Sequence, residues 1–297
     1  VHADVPAGPP RVPEPSEPPA LPEHLAGMTA GPACPGGTPA ANGAQNRADS
    51  AGVPWAGRDL KPNPFAGDTG LAVPALTAAL DAVTAAPLDP AAHRGVLEAL
   101  RGARVYAPIL PTAIEHTTDA RGLVHDNSSE MAMVRLAADD GRECTPCFSD
   151  ISALTAWGTT ARPVPIESER LCVAAIEEGA QLVVVDPGSA HPFLLRRTAL
   201  WAFVQGLPWT PAWADGAVAE AVGRIVDGLG WIAAIGIAPG SRAVHVSGPE
   251  LALVLTVERT PTPEELADLR RRLGADEDFV SRVDSMVITV DRGRAGV

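Results

Sequence analysis

Cys144-Thr-Pro-Cys-Phe-Ser-Asp-Ile-Ser-Ala-Leu-Thr-Ala-Trp-Gly-Thr-Thr-Ala-Arg-Pro-Val-Pro165 decides the fold. Cys144 to Phe148 reads as the end of a strand, and Ser149 or Asp150 as a helix cap. Ile151, Leu154 and Trp157 are the apolar anchors of a short helix, and Gly158 with Arg162-Pro-Val-Pro165 is a rigid exit. A polar cap, a turn or two of anchors and a proline-fixed departure set where the next element starts. Nothing in the stretch supplies a nucleophile with its base, or a metal cage.

Downstream, 168–178 has a helical face of Leu171, Cys172, Ala175 and Ile176, stopped by Gly179. Gln181-Leu-Val-Val-Val185 is the most strand-like run, apolar enough for burial on both faces, and ends in the turn Asp186-Pro-Gly188. A short edge strand over 193–195 and a helix over 198–205 close this unit. Upstream, 130–137 is a strand turned back at Asp139-Asp-Gly141, and 112–128 is a polar insertion. A strand over 104–110 carries Pro108, which argues for an edge position or an early end. Helices over 74–83 and 91–100 precede it.

Pro208-Trp-Thr-Pro-Ala-Trp213 is a short, stiff linker, so Trp209 and Trp213 are expected to fasten two domains in one arrangement. Beyond it the order is a helix over 216–229, strands over 231–238 and 250–258, a helix over 263–273 and a strand over 285–290. Thr262, Pro263 and Glu265 form a capping box with proline at the first helical position. The predicted fold class is α/β (α+β). Two small domains, 73–206 and 214–291, flank a linker at 207–213, each a mixed or mostly antiparallel sheet with packed helices. Val183, Val185, Phe148, Leu154, Ile176, Val254 and Ile288 are the expected core.

The first 60 residues hold 12 of the 30 prolines and few large apolar residues, so 1–72 is expected to be a disordered leader. Net charge is −13, of which the leader carries only −3; an acidic surface of this kind repels phosphate backbones and argues against nucleic acid. No apolar stretch is long enough to span a bilayer and the first 30 residues lack a basic start followed by an apolar run, which predicts a cytoplasmic protein with Cys34, Cys144, Cys147 and Cys172 reduced.

Cys144-x-x-Cys147 resembles a redox or zinc motif, but strand residues three apart point to opposite faces, and neither Cys34 nor Cys172 completes a ligand set. A thiol-dependent or sulfur-handling enzyme using Cys144 or Cys147 is the alternative, with Arg142 as the nearby charge that a thiolate needs. His116, Asp119, His125 and Asp126 share the polar insertion, read as a solvated loop rather than a metal site. No cofactor is called for. The preferred function is a non-catalytic interaction or regulatory protein with an unidentified protein partner, bound near Glu130, Trp157, Arg162 and Asp186.

Glu130-Met-Ala-Met-Val, Thr145-Pro-Cys-Phe-Ser-Asp-Ile-Ser-Ala-Leu-Thr-Ala-Trp157, Ala161-Arg-Pro-Val-Pro165 and Val185-Asp-Pro187 resemble the SseB family in its actinobacterial form, over roughly residues 73 to 290. The resemblance implies the family's α/β fold, with an N-terminal and a C-terminal domain, and carries over no catalytic residue. Relatives commonly read Leu-Pro-Val-Phe where this chain has Thr145-Pro-Cys-Phe148, so Cys147 takes the place of an aliphatic core residue.

Overall fold

Helices α1 (Pro74–Ala85) and α2 (Pro90–Leu100) each begin with proline, whose missing N–H no intrahelical bond requires, and Asp89 caps α2 by accepting from Ala91 N. Their apolar stripes, Leu76, Leu80 and Val83 against Val96, Leu97 and Leu100, are buried in the first of the molecule's two main cores. This computed structural model describes residues 65–110, 117–118, 124–125, 134–158 and 160–292.

After α2 come β1 (Arg104–Ile109), a minimal hairpin of β2 (Thr117–Thr118) and β3 (Val124–His125), β4 (Leu136–Ala137) and β5 (Glu143–Cys147). Then follow α3 (Ile151–Trp157), β6 (Arg162–Glu167), α4 (Ser168–Glu177), β7 (Leu182–Val185), β8 (Phe193–Leu195) and α5 (Arg197–Val204). The order β4-β5-β7-β8 is mixed: β5 and β7 are parallel, and β4 and β8 run against them at the edges. The expected turn at Asp139-Asp-Gly141 joins β4 to β5, with Gly141 at φ 81°.

Arg162-Pro-Val-Pro165 is not merely an exit from α3. It is strand β6, paired along its length with β1. Tyr106 and Phe148 exchange both backbone bonds, Tyr106 N to Phe148 O at 2.8 Å and Phe148 N to Tyr106 O at 2.9 Å, so Tyr106 turns its backbone groups toward the end of β5. Backbone groups alternate sides along a strand, so Val105, Ala107 and Ile109 turn theirs toward Ile166, Val164 and Arg162. Pro163 and Pro165 therefore point their nitrogens away from β1, where a missing N–H breaks no ladder bond and offers an incoming strand no donor. Pro108 lies on the β5 side of β1, opposite Pro146 when the register is extended; with no donor on either, the contact stays a single bridge. Pro108 does not end β1, which runs on to Ile109, but it faces the strand's unladdered side, the edge position expected of it.

A 3-10 turn (Ala212–Ala214) leads to α6 (Gly216–Val226), β9 (Ile232–Pro239), β10 (Leu251–Val257), α7 (Pro263–Ala275), α8 (Glu277–Arg282) and β11 (Met286–Arg292). Central β10 is antiparallel to β9 and parallel to β11. Leu251, Leu253, Leu255 and Val257 turn one face of it into the second core. Thr262 accepts from Glu265 N while the Glu265 side chain accepts from Thr262 N, the expected capping box, and Pro263 opens α7.

Phe148, Leu154, Val183 and Val185 are buried as expected, whereas Ile176, Val254 and Ile288 are only half-buried. Ile176 sits in the last turn of α4, Val254 faces away from the helices, and Ile288 belongs to edge strand β11. Ile151, read as an anchor of α3, is exposed and packs beside Gly70.

The two halves meet at a polar seam. Arg142, on the β4–β5 turn, holds Asp284 with both terminal nitrogens at 2.7 and 2.8 Å. Asp284 also accepts from Arg197 N at 3.1 Å and lies 3.6 Å from Arg196. Arg196 donates to Val244 O and Gly248 O, and Arg197 to Val280 O and Val283 O. Trp213 meets His93 of α2 edge-on at 5.0 Å, and Trp209 packs on the first core with its ring N–H donated to Thr198. The linker aromatics contribute, but charged groups make most of the polar contacts across this seam.

Candidate interaction surface

The sheet's rim at the carboxyl ends of β5 and β7 is built from two turns that lock together. Asp186, directly after β7, adopts φ 49°, the only positive φ outside glycine among the described residues. Its backbone N donates to Cys147 O at 2.8 Å. Its carboxylate accepts from Ser149 N and Ser149 Oγ, both at 2.7 Å. Burial pushes the Asp186 carboxyl up, and the two Ser149 bonds oppose that rise without cancelling it. A strained backbone held by two charge-assisted bonds makes this carboxylate a strut between the β5 and β7 ends.

From Ser149 the chain enters α3, capped by Asp150, whose carboxylate accepts from Ala153 N at 2.7 Å. Ile151 N donates to Gly70 O at 3.0 Å, and Arg104 donates to Ser149 O and to Leu71 O. The Tyr106 hydroxyl donates to Asp68, and the Arg104 guanidinium lies 4.2 Å over the Tyr106 ring. Burial and the Asp68 bond push Tyr106 up to about 12. At Asp68 burial acts upward, but the Tyr106 hydroxyl, Gly70 N–H and Arg104 outweigh it and hold the carboxyl low. The segment ahead of α1 is thus strapped across the start of α3.

Trp157 ends α3 half-exposed, its ring tilted on Phe148 at 5.3 Å, with Tyr106, Phe148 and Leu154 as the buried floor. A Cβ built on Gly188, at φ 78°, would lie 3.7 Å from Trp157 Cδ1, so the ring rests beside the Asp186-Pro-Gly188 turn. The chain then turns back, Ala161 N donating to Gly158 O, and Arg162 opens β6 exposed. Of the four residues expected at the surface, Trp157 and the Asp186 turn are brought together and Arg162 follows across the turn. Asp186 itself is 5% exposed and works from beneath. Glu130 lies outside the described residues. Sequence reading missed Ser149 as the partner of Asp186, and Tyr106 with Asp68 and Arg104; a carboxylate ending a strand just before Pro-Gly was the available signal.

The described cysteines, Cys144, Cys147 and Cys172, are free and buried. Burial pushes Cys144 up to about 12 despite Arg142, and it raises Cys147 and Cys172 as well. None is a thiolate at neutral pH. Among the described residues no three His, Cys, Asp or Glu side chains gather as a metal site. His116, Asp119 and Asp126 of the polar insertion lie outside those residues, and His125 is described only as part of β3. No described helix is long and apolar enough to cross a membrane.

The strands and helix of this rim, β1 to β8, fall within a match to the model of the SseB protein N-terminal domain over residues 76–202, while the strap at 68–71 precedes it. Residues 76–202 are thus similar to the SseB N-terminal domain. Within it lie β5, α3, β6 and the Asp186 turn, the elements that shape the rim. No curated protein and no solved structure matches the chain.

Proposed function

We propose that this SseB-domain protein is a non-catalytic interaction or regulatory protein that binds a protein partner on the rim around Trp157. The observation that carries the reading is a half-exposed tryptophan on a buried aromatic floor, on a helix fixed at its start by Asp150, Gly70 and the Ser149–Asp186 strut. A large aromatic already held in place loses little freedom on binding, the property of an interface anchor. Exposed Arg162 supplies a charge beside it, and donor-poor β6 discourages strand addition, so the partner docks by side chains. Glu130 is assigned to the same surface from the sequence.

Residues 214–291 are read as the family's C-terminal domain and the chain as its actinobacterial form, in support of which stand the motifs at 145–165 and the extensive docking of the second core on the SseB domain. Three buried free thiols favour a reducing compartment, the cytoplasm. Affinity capture from a native lysate, with wild type beside Trp157→Ala and Arg162→Glu, tests the surface. The same partners should be lost from both variants; identical sets would remove the proposal.

A further inference from the structure

Glu250 stands directly before β10, at the place where the linker, the turn before β11 and the SseB domain converge. Its side chain is shut off from water, with Oε1 accepting from Ala212 N at 3.2 Å and Oε2 from Asp284 N at 2.8 Å. Its backbone N donates to Ser285 Oγ, which lies 3.5 Å from Arg196 Nη1. We propose that Glu250 is a proton-operated latch on the seam between the two halves.

The charges around it are unevenly shared. Asp284 stands on the same turn and takes both terminal nitrogens of Arg142, the Arg197 N–H and the field of Arg196. Asp140, on the far side of that pair, accepts from Arg142 Nε. Glu250 is held by backbone N–H groups, and Arg196, whose charge acts on it, donates to Val244 O and Gly248 O. The arginines keep Asp284 low and ionised, overcoming its burial. Glu250 has burial and the Asp284 charge against it, and is pushed up to about 7 although Arg196 and two N–H groups favour its ionised form. Nearby His93, held at about 4 mainly by burial, stays neutral around pH 7, and burial also lowers His245. Near neutral pH the group at the seam that changes charge is Glu250.

A carboxyl whose folded value stands above its ordinary one favours the fold in its protonated form. That contribution is complete below about 4.5 and is lost as pH rises through about 7. Parting the seam returns Glu250 to water, where it ionises readily. Opening therefore grows with pH, by up to about tenfold per unit across that window.

Two measurements on the full chain test the latch. Carbon-13 titration of labelled glutamate carboxyls, correlated with backbone assignments, should show Glu250 titrating near neutrality, apart from the other glutamates. Hydrogen exchange corrected for its intrinsic rate should show Leu194, Ala212 and Asp284 amides losing protection by up to about tenfold per pH unit below pH 7, and Glu250→Gln should remove that slope. A Glu250 carboxyl titrating among the exposed glutamates overturns the proposal, as does an equal slope in Glu250→Gln. If that variant does not fold, the carboxyl titration of the wild type decides.

Discussion

The rim around Trp157 and the seam around Asp284 are both polar constructions on the same sheet, but they are held in opposite ways. At the rim, one carboxylate meets one serine and a backbone N–H, a tyrosine meets an aspartate, and most partners are close neighbours of the strand ends. At the seam, three guanidinium groups converge on Asp284 and on backbone carbonyls, from residues far apart in the chain. The rim can lose a contact and stay folded, because water reaches its outer half. The seam is costlier to break, since Asp284 and Arg196 are shut off from water and a charge left behind there loses its main partner without regaining solvent.

The largest expected effect lies at the seam. Asp284→Ala strips Arg142, Arg196 and Arg197 of their shared anion, and should cost about 3–5 kcal/mol of unfolding free energy in urea denaturation. Arg142→Met combined with Asp284→Leu removes both members of the bidentate pair. It should recover most of that loss, because apolar groups of similar volume need no counter-charge; a double variant as unstable as Asp284→Ala would show that Arg196 and Arg197 dominate instead.

At the rim, Asp186→Asn keeps the shape and the tolerance for positive φ but replaces one accepting oxygen by a donor facing Ser149. A loss of about 1–3 kcal/mol is expected in the same denaturation series. Trp157→Ala, half-exposed to begin with, should cost about 1–2 kcal/mol by thermal unfolding, below the usual cost of a wholly buried tryptophan, while abolishing partner capture. Thr262→Ala removes only a local cap of α7 and should cost about 1 kcal/mol, with partner capture unchanged. A rim variant more damaging than Asp284→Ala would reverse the contrast between the two regions.

Local chemistry accounts for what could be read from the chain alone. The capping box at Thr262, the Asp150 cap, the Gly141 turn and the apolar run 182–185 depend on residues within a few positions of one another, so their signals survive in one dimension. Burial of Phe148, Leu154, Val183 and Val185 follows from the same periodicity. The tertiary structure decided what those signals leave open. Alternating prolines at 163 and 165 read as a stiff exit until β1 is set beside them, because which side a backbone nitrogen faces depends on the neighbouring strand. Ile176, Val254 and Ile288 have the right hydrophobicity for a core, but an element's end, a sheet's open face and an edge strand leave them half-covered. Arg142, Arg196, Glu250 and Asp284 carry no local mark at all. Their charges acquire meaning only when folding removes the water around them and leaves each with the partners that distant parts of the chain bring.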